Sequence, residues 1–371
     1  MPDLRGLRRR SAGRLAAVVG LVGMAGSDAV AGGSPATESW ERSGSGWAEG
    51  RHRGTRERGG SLTLAEGALE GSYSARSPHE GPFDRLLVSL NHAPFAAGAE
   101  LRVRVRVQVA GAWTAWLPLG VYGAGPNLPR SEAAPPERGV EVAVDIVQLT
   151  GAPGEAAEVR LELRGAPGGA PVVRRLHAAA WLRAAQPRAP RSSTGSPAWG
   201  RVLEVPERSQ QVEDPALAGR VCSPTSLSMV LAYWGRAQPT ATVAAGVYDW
   251  GADIYGNWGF NVAYAGTQGV DATATHLDGF GPVEDEVAAG RPVVLSHKFA
   301  AGELGGAPMT ATAGHLITVV GFTPEGDVVV HDPAADPRDG EAIRRVYRRD
   351  ELYRSWQLSG EGVAYLLRPR E

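Results

Sequence analysis

The sequence is short of cysteine, of lysine and of long apolar runs. Its single cysteine, Cys222, excludes an intramolecular disulfide. Its single lysine is Lys298, and the formal net charge is −2, so we expect no polybasic surface for nucleic acid. No apolar run reaches the roughly 20 residues that a membrane-spanning helix needs. With 371 residues, 43% of them hydrophobic, the chain is long enough for two globular domains.

The N-terminal segment has the pattern of an export signal. A basic stretch, Arg8–Arg14, precedes an apolar run, Leu15–Ala25, and small residues follow at Ala29 and Ala31. We therefore expect residues 1–31 to be a signal peptide and the mature protein to be secreted, with no transmembrane segment after signal removal. An uncleaved membrane anchor is the alternative.

Composition and periodicity divide the rest of the chain. Residues 32–60, rich in Gly, Ser and Arg, are expected to be a linker, a loosely ordered segment or a loosely attached first strand. Residues 61–184 carry strictly alternating apolar runs such as Leu101–Val109, which predict an all-β sandwich of the jelly-roll type. Similar runs occur at Val140–Ile146 and Val159–Arg164. The Pro/Ser-rich residues 185–198 predict a linker, and a second domain is expected over residues 199–371.

The second domain has a different pattern. Pro224–Trp234 predicts a helix with apolar residues at helical spacing, ended by Gly235. Further elements are expected as strands at Pro292–Ser296, Leu316–Phe322, Val328–His331 and Gly362–Leu367 and a short helix at Arg349–Trp356. A helix followed by several strands is an α+β arrangement.

Cys222 precedes the predicted helix, with Pro224 in the first turn. Free N–H groups and the helix dipole at this position favour a thiolate and can stabilise an oxyanion. A lone cysteine is also often a buried small apolar residue, so position alone leaves both interpretations open.

His315 and Asp332 supply a base and an orienting carboxylate. If Phe322 pairs with Asp327 across the turn between the two strands, Asp332 faces Ile317 and reaches His315 diagonally. A nucleophile, a base and a carboxylate that orients the base are the arrangement of cysteine hydrolases. An amide N–H from Gln210 or Gln211 would complete an oxyanion hole, and spacing does not choose between them.

These residues resemble papain-like cysteine peptidases of the type that cleaves double-glycine leader peptides from bacteriocin precursors. The resemblance covers residues 205–369 and departs from the family at Ser223, where glycine is usual. It implies Cys222 as nucleophile, His315 as general base, Asp332 as orienting residue and Gln210 as oxyanion donor. The motifs that carry it are Val205-Pro206 with Ser209-Gln210, the run from Cys222 to Gly235, Gly256–Asn261, Gly290–Val293, Gly314-His315 and Asp332-Pro333.

The sequence thus predicts a secreted cysteine hydrolase that acts on a peptide or protein, cell-wall peptide included. We expect no cofactor and no metal, because His276, His297 and His331 lack metal-ligand spacing and fit core or solvated positions. A non-catalytic surface binding protein on the same scaffold, and an amidase or acyltransferase, stay open. The aromatic cluster between Tyr248 and Tyr264 is interpreted either as a groove wall or as packing under a loop.

Overall fold

The computed structural model describes residues 37–78, 81–183 and 195–370. The expected signal peptide, residues 1–31, lies outside the described residues, as do residues 185–194 of the expected linker. Within the described ranges no helix has the length and apolar character that crossing a membrane requires.

The N-terminal region contains fourteen strands. They are β1 (Glu38–Ser43), β2 (Arg51–Arg53), β3 (Thr55–Arg58), β4 (Ser61–Leu64), β5 (Glu70–Arg76), β6 (Arg85–His92), β7 (Glu100–Val109), β8 (Ala112–Trp113), β9 (Leu117–Gly123), β10 (Arg130–Ser131), β11 (Val140–Ala143), β12 (Ile146–Leu149), β13 (Gly154–Arg164) and β14 (Val173–Trp181). They form two antiparallel seven-stranded sheets, one in the order β11-β12-β6-β14-β4-β3 with β1 beside β14, the other in the order β10-β9-β7-β13-β5-β2 with β8 beside β7.

One hydrophobic core joins these two sheets. Strand β7 buries every second residue, and its Val105 lies opposite Val159 of β13. Leu86 and Val88 of the other sheet belong to the same buried cluster. The alternation over Leu101–Val109 therefore reports a strand with one buried face, as predicted.

Two local expectations for this region are wrong. Residues 38–58 are neither a linker nor one loosely attached strand, because they form strands β1 to β3 and a 3₁₀ turn whose Trp47 is fully buried. The run Val140–Ile146 is not one strand either. The chain reverses at Val144, which has a φ of +63°, so that β11 and β12 form a hairpin.

The C-terminal region combines five α-helices with a six-stranded antiparallel sheet. The helices are α1 (Cys222–Tyr233), α2 (Thr240–Val247), α3 (Trp258–Thr267), α4 (Phe280–Ala288) and α5 (Arg349–Tyr353), the last continued by a π-helical turn at Arg354–Ser359. The strands are β15 (Val270–His276), β16 (Val293–Phe299), β17 (Thr312–Phe322), β18 (Val328–His331), β19 (Arg344–Tyr347) and β20 (Val363–Pro369), in the order β15-β20-β16-β17-β18-β19.

The expectation of a single leading helix is wrong, since α2, α3 and α4 were not predicted. Helix α2 consists almost entirely of Ala, Val and Thr and lacks an amphipathic period. Helix α3 carried a usable signal, because Asn257 is an N-cap whose side chain accepts the Phe260 N–H over 3.1 Å.

The two regions share buried surface. Leu87 and Trp181 of the first sheet belong to the same core cluster as Leu227 of α1. The outer edge of β15 is covered by polar side chains of β6: Asn91 exchanges two hydrogen bonds with the Ala272 backbone, at 2.8 and 3.0 Å. The described residues from 37 to 370 accordingly belong to one compact unit.

Candidate functional site

Cys222 is the first residue of α1, two positions before the predicted start of the helix. Gly235 ends the helix in the left-handed region, with a φ of +71°, as predicted. The thiol is half-buried, and the backbone N–H groups of Ser223 and Leu316 point at its sulfur. The site thus has the free N–H donors expected at a helix start.

Helix α1 lies in the core rather than on the surface. Every residue from Ser223 to Leu231 is buried, so this stretch of the helix has no exposed polar face opposite its apolar one. Ser226 donates to the Leu316 carbonyl over 3.0 Å and fixes the helix against β17. The departure at Ser223 is accommodated, because its hydroxyl lies 3.0 Å from the Tyr365 hydroxyl.

His315 and Asp332 meet across β17 and β18. His315 Nε2 lies 2.7 Å from Asp332 Oδ1, and both side chains are buried. The predicted pairing of Phe322 with Asp327 is wrong, since Phe322 lies opposite Val328. A bulge between Val319 and Gly321 then corrects the register by one residue.

After the bulge Thr318 lies opposite His331, which brings Asp332 level with Ile317 as predicted. The predicted contact between His315 and Asp332 is therefore present, although the register at the turn was misjudged by one residue.

Asp332 accepts three hydrogen bonds. Besides His315, Tyr347 donates its hydroxyl proton to Oδ2 over 2.6 Å and the Ala334 N–H donates to Oδ1 over 2.9 Å. Burial raises the pKa of Asp332, but the charge and hydrogen bonds of these donors outweigh it and hold the pKa at about 2. Tyr347 was missed in the sequence, where nothing distinguishes it from other strand tyrosines.

His315 also hydrogen-bonds with Cys222. Since Nε2 is taken by Asp332, Nδ1 is the nitrogen left for the thiol. Burial lowers the pKa of His315, but the Asp332 carboxylate and the sulfur raise it well above its ordinary value. For Cys222 the directions are reversed: burial raises the pKa of the thiol, but the hydrogen bond and charge of His315 outweigh burial, so the pKa is lowered overall. The pair therefore favours a thiolate beside an imidazolium.

Gln210 and Gln211 differ in their surroundings. Gln210 is buried, and its backbone N–H donates to the Pro333 carbonyl over 2.8 Å, next to Asp332. Its side-chain Oε1 has no hydrogen-bond partner among the described residues. The Gln211 amide instead donates to the Ala334 carbonyl over 3.1 Å. The Gln211 donor is thus engaged, while the role of Gln210 stays a prediction.

The remaining histidines of the second domain are core residues. His297 lies opposite His315 on β16, with ring centroids 5.5 Å apart. Burial, assisted by the His315 charge, lowers the pKa of His297 to about 3, so it stays neutral beside the charged pair. His276 and His331 are also buried, which fits the interpretation as core histidines.

Cys222 opens into a cleft of about 580 Å³. Of the aromatic cluster, Tyr255 and Trp258 line this cleft. Phe260 instead packs into the core of the N-terminal sheets, and Tyr248 packs edge-on against Trp250 at 4.9 Å. Both interpretations of the cluster therefore hold for part of it.

One wall of the cleft comes from the N-terminal sheets. The turn between β11 and β12, with Val144 and Asp145 at its tip, lines the same space as Cys222, His297 and Lys298. No functional pattern in the sequence pointed to this turn.

Residues 202–363 match the model of the family described as Peptidase_C39 like family. A crystal structure of a double glycine motif protease from an AMS/PCAT transporter, in complex with the leader peptide, is 18% identical over 46% of this chain and 94% of that chain, with a TM-score of 0.30. The peptidase domain of Streptococcus ComA, a bifunctional ABC transporter involved in a quorum sensing pathway, is 16% identical over 44% and 98% of the chains, with a TM-score of 0.29. No curated protein matches the chain.

Proposed function

We propose that this protein hydrolyses peptide bonds with Cys222 as nucleophile, because residues 202–363 match the Peptidase_C39 like family model. His315 acts as general base and acid, and Asp332 orients it. The substrate is a peptide or protein that the enzyme meets after export, which the N-terminal signal pattern supports.

The reaction begins with the Cys222 thiolate, whose proton rests on His315. The sulfur attacks the scissile carbonyl, and the C–N bond breaks as His315 gives its proton to the leaving amine. Water then loses a proton to His315 and attacks the thioester, which releases the acid and regenerates the thiol pair. Asp332 stays ionised throughout and holds the imidazole in one orientation.

The oxyanion formed in each step needs hydrogen-bond donors. The start of α1 offers backbone N–H groups, and the Gln210 amide is the side-chain donor we assign to the same oxyanion. The buried, anchored position of Gln210 beside Pro333 supports this assignment, because a donor must be fixed before charge develops.

The observation that carries the proposal is the continuous chain of contacts from Cys222 through His315 to Asp332 at a cleft. Its test is the pH dependence of alkylation by iodoacetamide, measured as the mass increase of the intact protein. Since Cys222 is the only cysteine, every added mass reports on this thiol.

We expect rapid alkylation between pH 5 and 8, well below the ordinary thiol pKa of about 8.5. His315→Ala and the more conservative His315→Gln should both move the reactivity back toward that value, with folding checked by circular dichroism. A wild-type thiol that reacts only above about pH 8 overturns the proposal.

A further inference from the structure

The tip of the β11–β12 hairpin is held rigidly at the cleft. Val144 is a β-branched residue in the left-handed region, and its side chain is 36% exposed. A β-branched residue avoids this conformation unless its surroundings impose it. Asp145 supplies such a constraint, because its Oδ2 accepts the backbone N–H of Trp258, the first residue of α3, over 2.5 Å. The hairpin of the N-terminal sheets is thereby joined to the peptidase domain.

Most charges along the cleft are neutralised within the protein. Arg220 pairs with Asp253 over 2.8 Å, and Glu361 pairs with Arg85 over 3.2 Å. Asp145, by contrast, forms no ion pair with any residue that the structure describes, and neither does Lys298 on the same cleft. The substrate space therefore presents one carboxylate that lacks a cation.

The surroundings of Asp145 make that carboxylate a strong acceptor. It is half-buried, and an ionised carboxylate has about four lone-pair sites, of which the backbone N–H groups of Trp258 and of Asp145 itself take two. Burial raises the pKa of Asp145 to about 7, the Trp258 hydrogen bond opposes this rise, and the Asp249 charge adds to it. A bound cation therefore offsets the free energy that burial of the ionised carboxylate costs.

We propose that Asp145 is a specificity-determining residue that binds a cationic group of the substrate, a guanidinium or an ammonium, close to the bond that Cys222 attacks. This inference rests on the proposed function. It gives the N-terminal sheets a direct part in substrate choice, since they deliver the carboxylate to the cleft.

The test compares peptides that differ in charge and have nearly the same shape. Alanine-based hexapeptide amides carry arginine at one position each, and a matched set carries citrulline, which is isosteric and uncharged, at the same positions. Each peptide is measured at pH 8, where Asp145 is ionised, as a competitor that slows alkylation of Cys222 by uncharged iodoacetamide. Competition reports binding on either side of the scissile bond and needs no known substrate.

At one or more positions the arginine peptide should protect Cys222 at about one-tenth of the concentration that its citrulline counterpart requires, as expected for a hydrogen bond to a charged group. Asp145→Asn keeps an oxygen for the Trp258 N–H but removes the charge, so it should bring the two peptides to within about twofold. Asp253→Asn is the matched control: it lines the same cleft, is already paired with Arg220, and should keep the preference.

The outcomes separate the two proposals. If iodoacetamide alkylates Cys222 between pH 5 and 8 but arginine and citrulline peptides protect equally at every position, the inference about Asp145 is overturned and the proposed function stands. A loss of the preference in Asp253→Asn, or slower alkylation of the unliganded Asp145→Asn protein, also overturns it, because the residue would then act by shaping the site. Absence of alkylation in that pH range removes the proposed function itself.

Discussion

Tyr347 donates its hydroxyl proton to Oδ2 of Asp332 over 2.6 Å, on the side of the carboxylate that His315 does not use. The tyrosine lies on β19, one strand beyond the hairpin that carries the pair. It holds the carboxylate in its ionised form and in the plane that His315 requires. The strength of the thiolate pair therefore depends on a residue that does not touch Cys222.

Removing this hydroxyl should weaken the pair at low pH. In Tyr347→Phe the pKa of Asp332 rises, the pKa of His315 falls with it, and less of the thiol is ionised. We expect alkylation of Cys222 at pH 5 to slow by roughly threefold to tenfold, a shift of half to one pKa unit, with no change at pH 9. The free energy of unfolding should fall by about 1–3 kcal/mol.

Tyr353→Phe is the control for the tyrosine prediction, because it also removes a hydroxyl from a buried ring of the same domain. The role given to Tyr347 would be contradicted if the alkylation rate at pH 5 were unchanged in Tyr347→Phe. It would also be contradicted if that rate fell equally in Tyr353→Phe.

Cys222→Ala and His315→Ala should each abolish peptide hydrolysis while the protein stays folded. The two side chains act as one unit, so the double variant should lose no more activity than either single variant. His177→Gln, at a half-buried histidine of the N-terminal sheets, should keep its activity. If either single variant keeps the turnover of the wild type, the mechanism is refuted.

Gln210→Ala should lower turnover by about 100- to 1,000-fold with little change in KM, because an oxyanion donor acts on charge that exists only in the transition state. Gln211→Ala should be mild, since its amide is bonded to Ala334. The reverse order would assign the donor to Gln211. Two mild variants would leave the oxyanion hole to backbone groups alone.

Asp332→Asn should destabilise the protein by about 3–5 kcal/mol at pH 6, since it leaves His315 buried without its counterion. The pKa of Asp332 is lowered on folding to about 2, so the stability that this carboxylate contributes is present above its unfolded pKa and is lost as the pH falls toward 2. Urea unfolding at pH 6 and pH 3 should show that the difference in the free energy of unfolding between wild type and Asp332→Asn becomes smaller at the lower pH. A difference that becomes larger contradicts the pairing of Asp332 with His315.

The fragment 199–371 should not form a stable domain. The alternating strands of residues 61–184 predict an accessory module that folds separately, but Leu87 and Trp181 pack into the same cluster as Leu227, and Asn91 covers the edge of β15. The fragment exposes this apolar surface. Thermal unfolding followed by circular dichroism should show no cooperative transition, or a much lower Tm. A cooperative, alkylation-competent fragment would restore the expectation of an independent module.

Local features were predictable where the chemistry is local. Three elements follow from caps, turn residues and period-two burial, which depend only on neighbours in the chain. They are the helix α1, predicted two residues late at its start and ended before Gly235, the strict alternation of β7, and the strand Val328–His331. The motifs between Val205 and Pro333, taken together, likewise carry the resemblance to the peptidase family.

What the sequence by itself determined was therefore the candidate nucleophile, base and carboxylate, because Cys222 and Asp332 lie at element ends and His315 lies near the start of β17, in the sequence motif Gly314-His315. Only the tertiary structure decided the register at the Val319/Gly321 bulge, the Tyr347 support of Asp332 and the arrival of Asp145 at the cleft. These features depend on contacts between segments far apart in the chain. No local pattern shows which strand edge or which hairpin tip will pack against a given side chain.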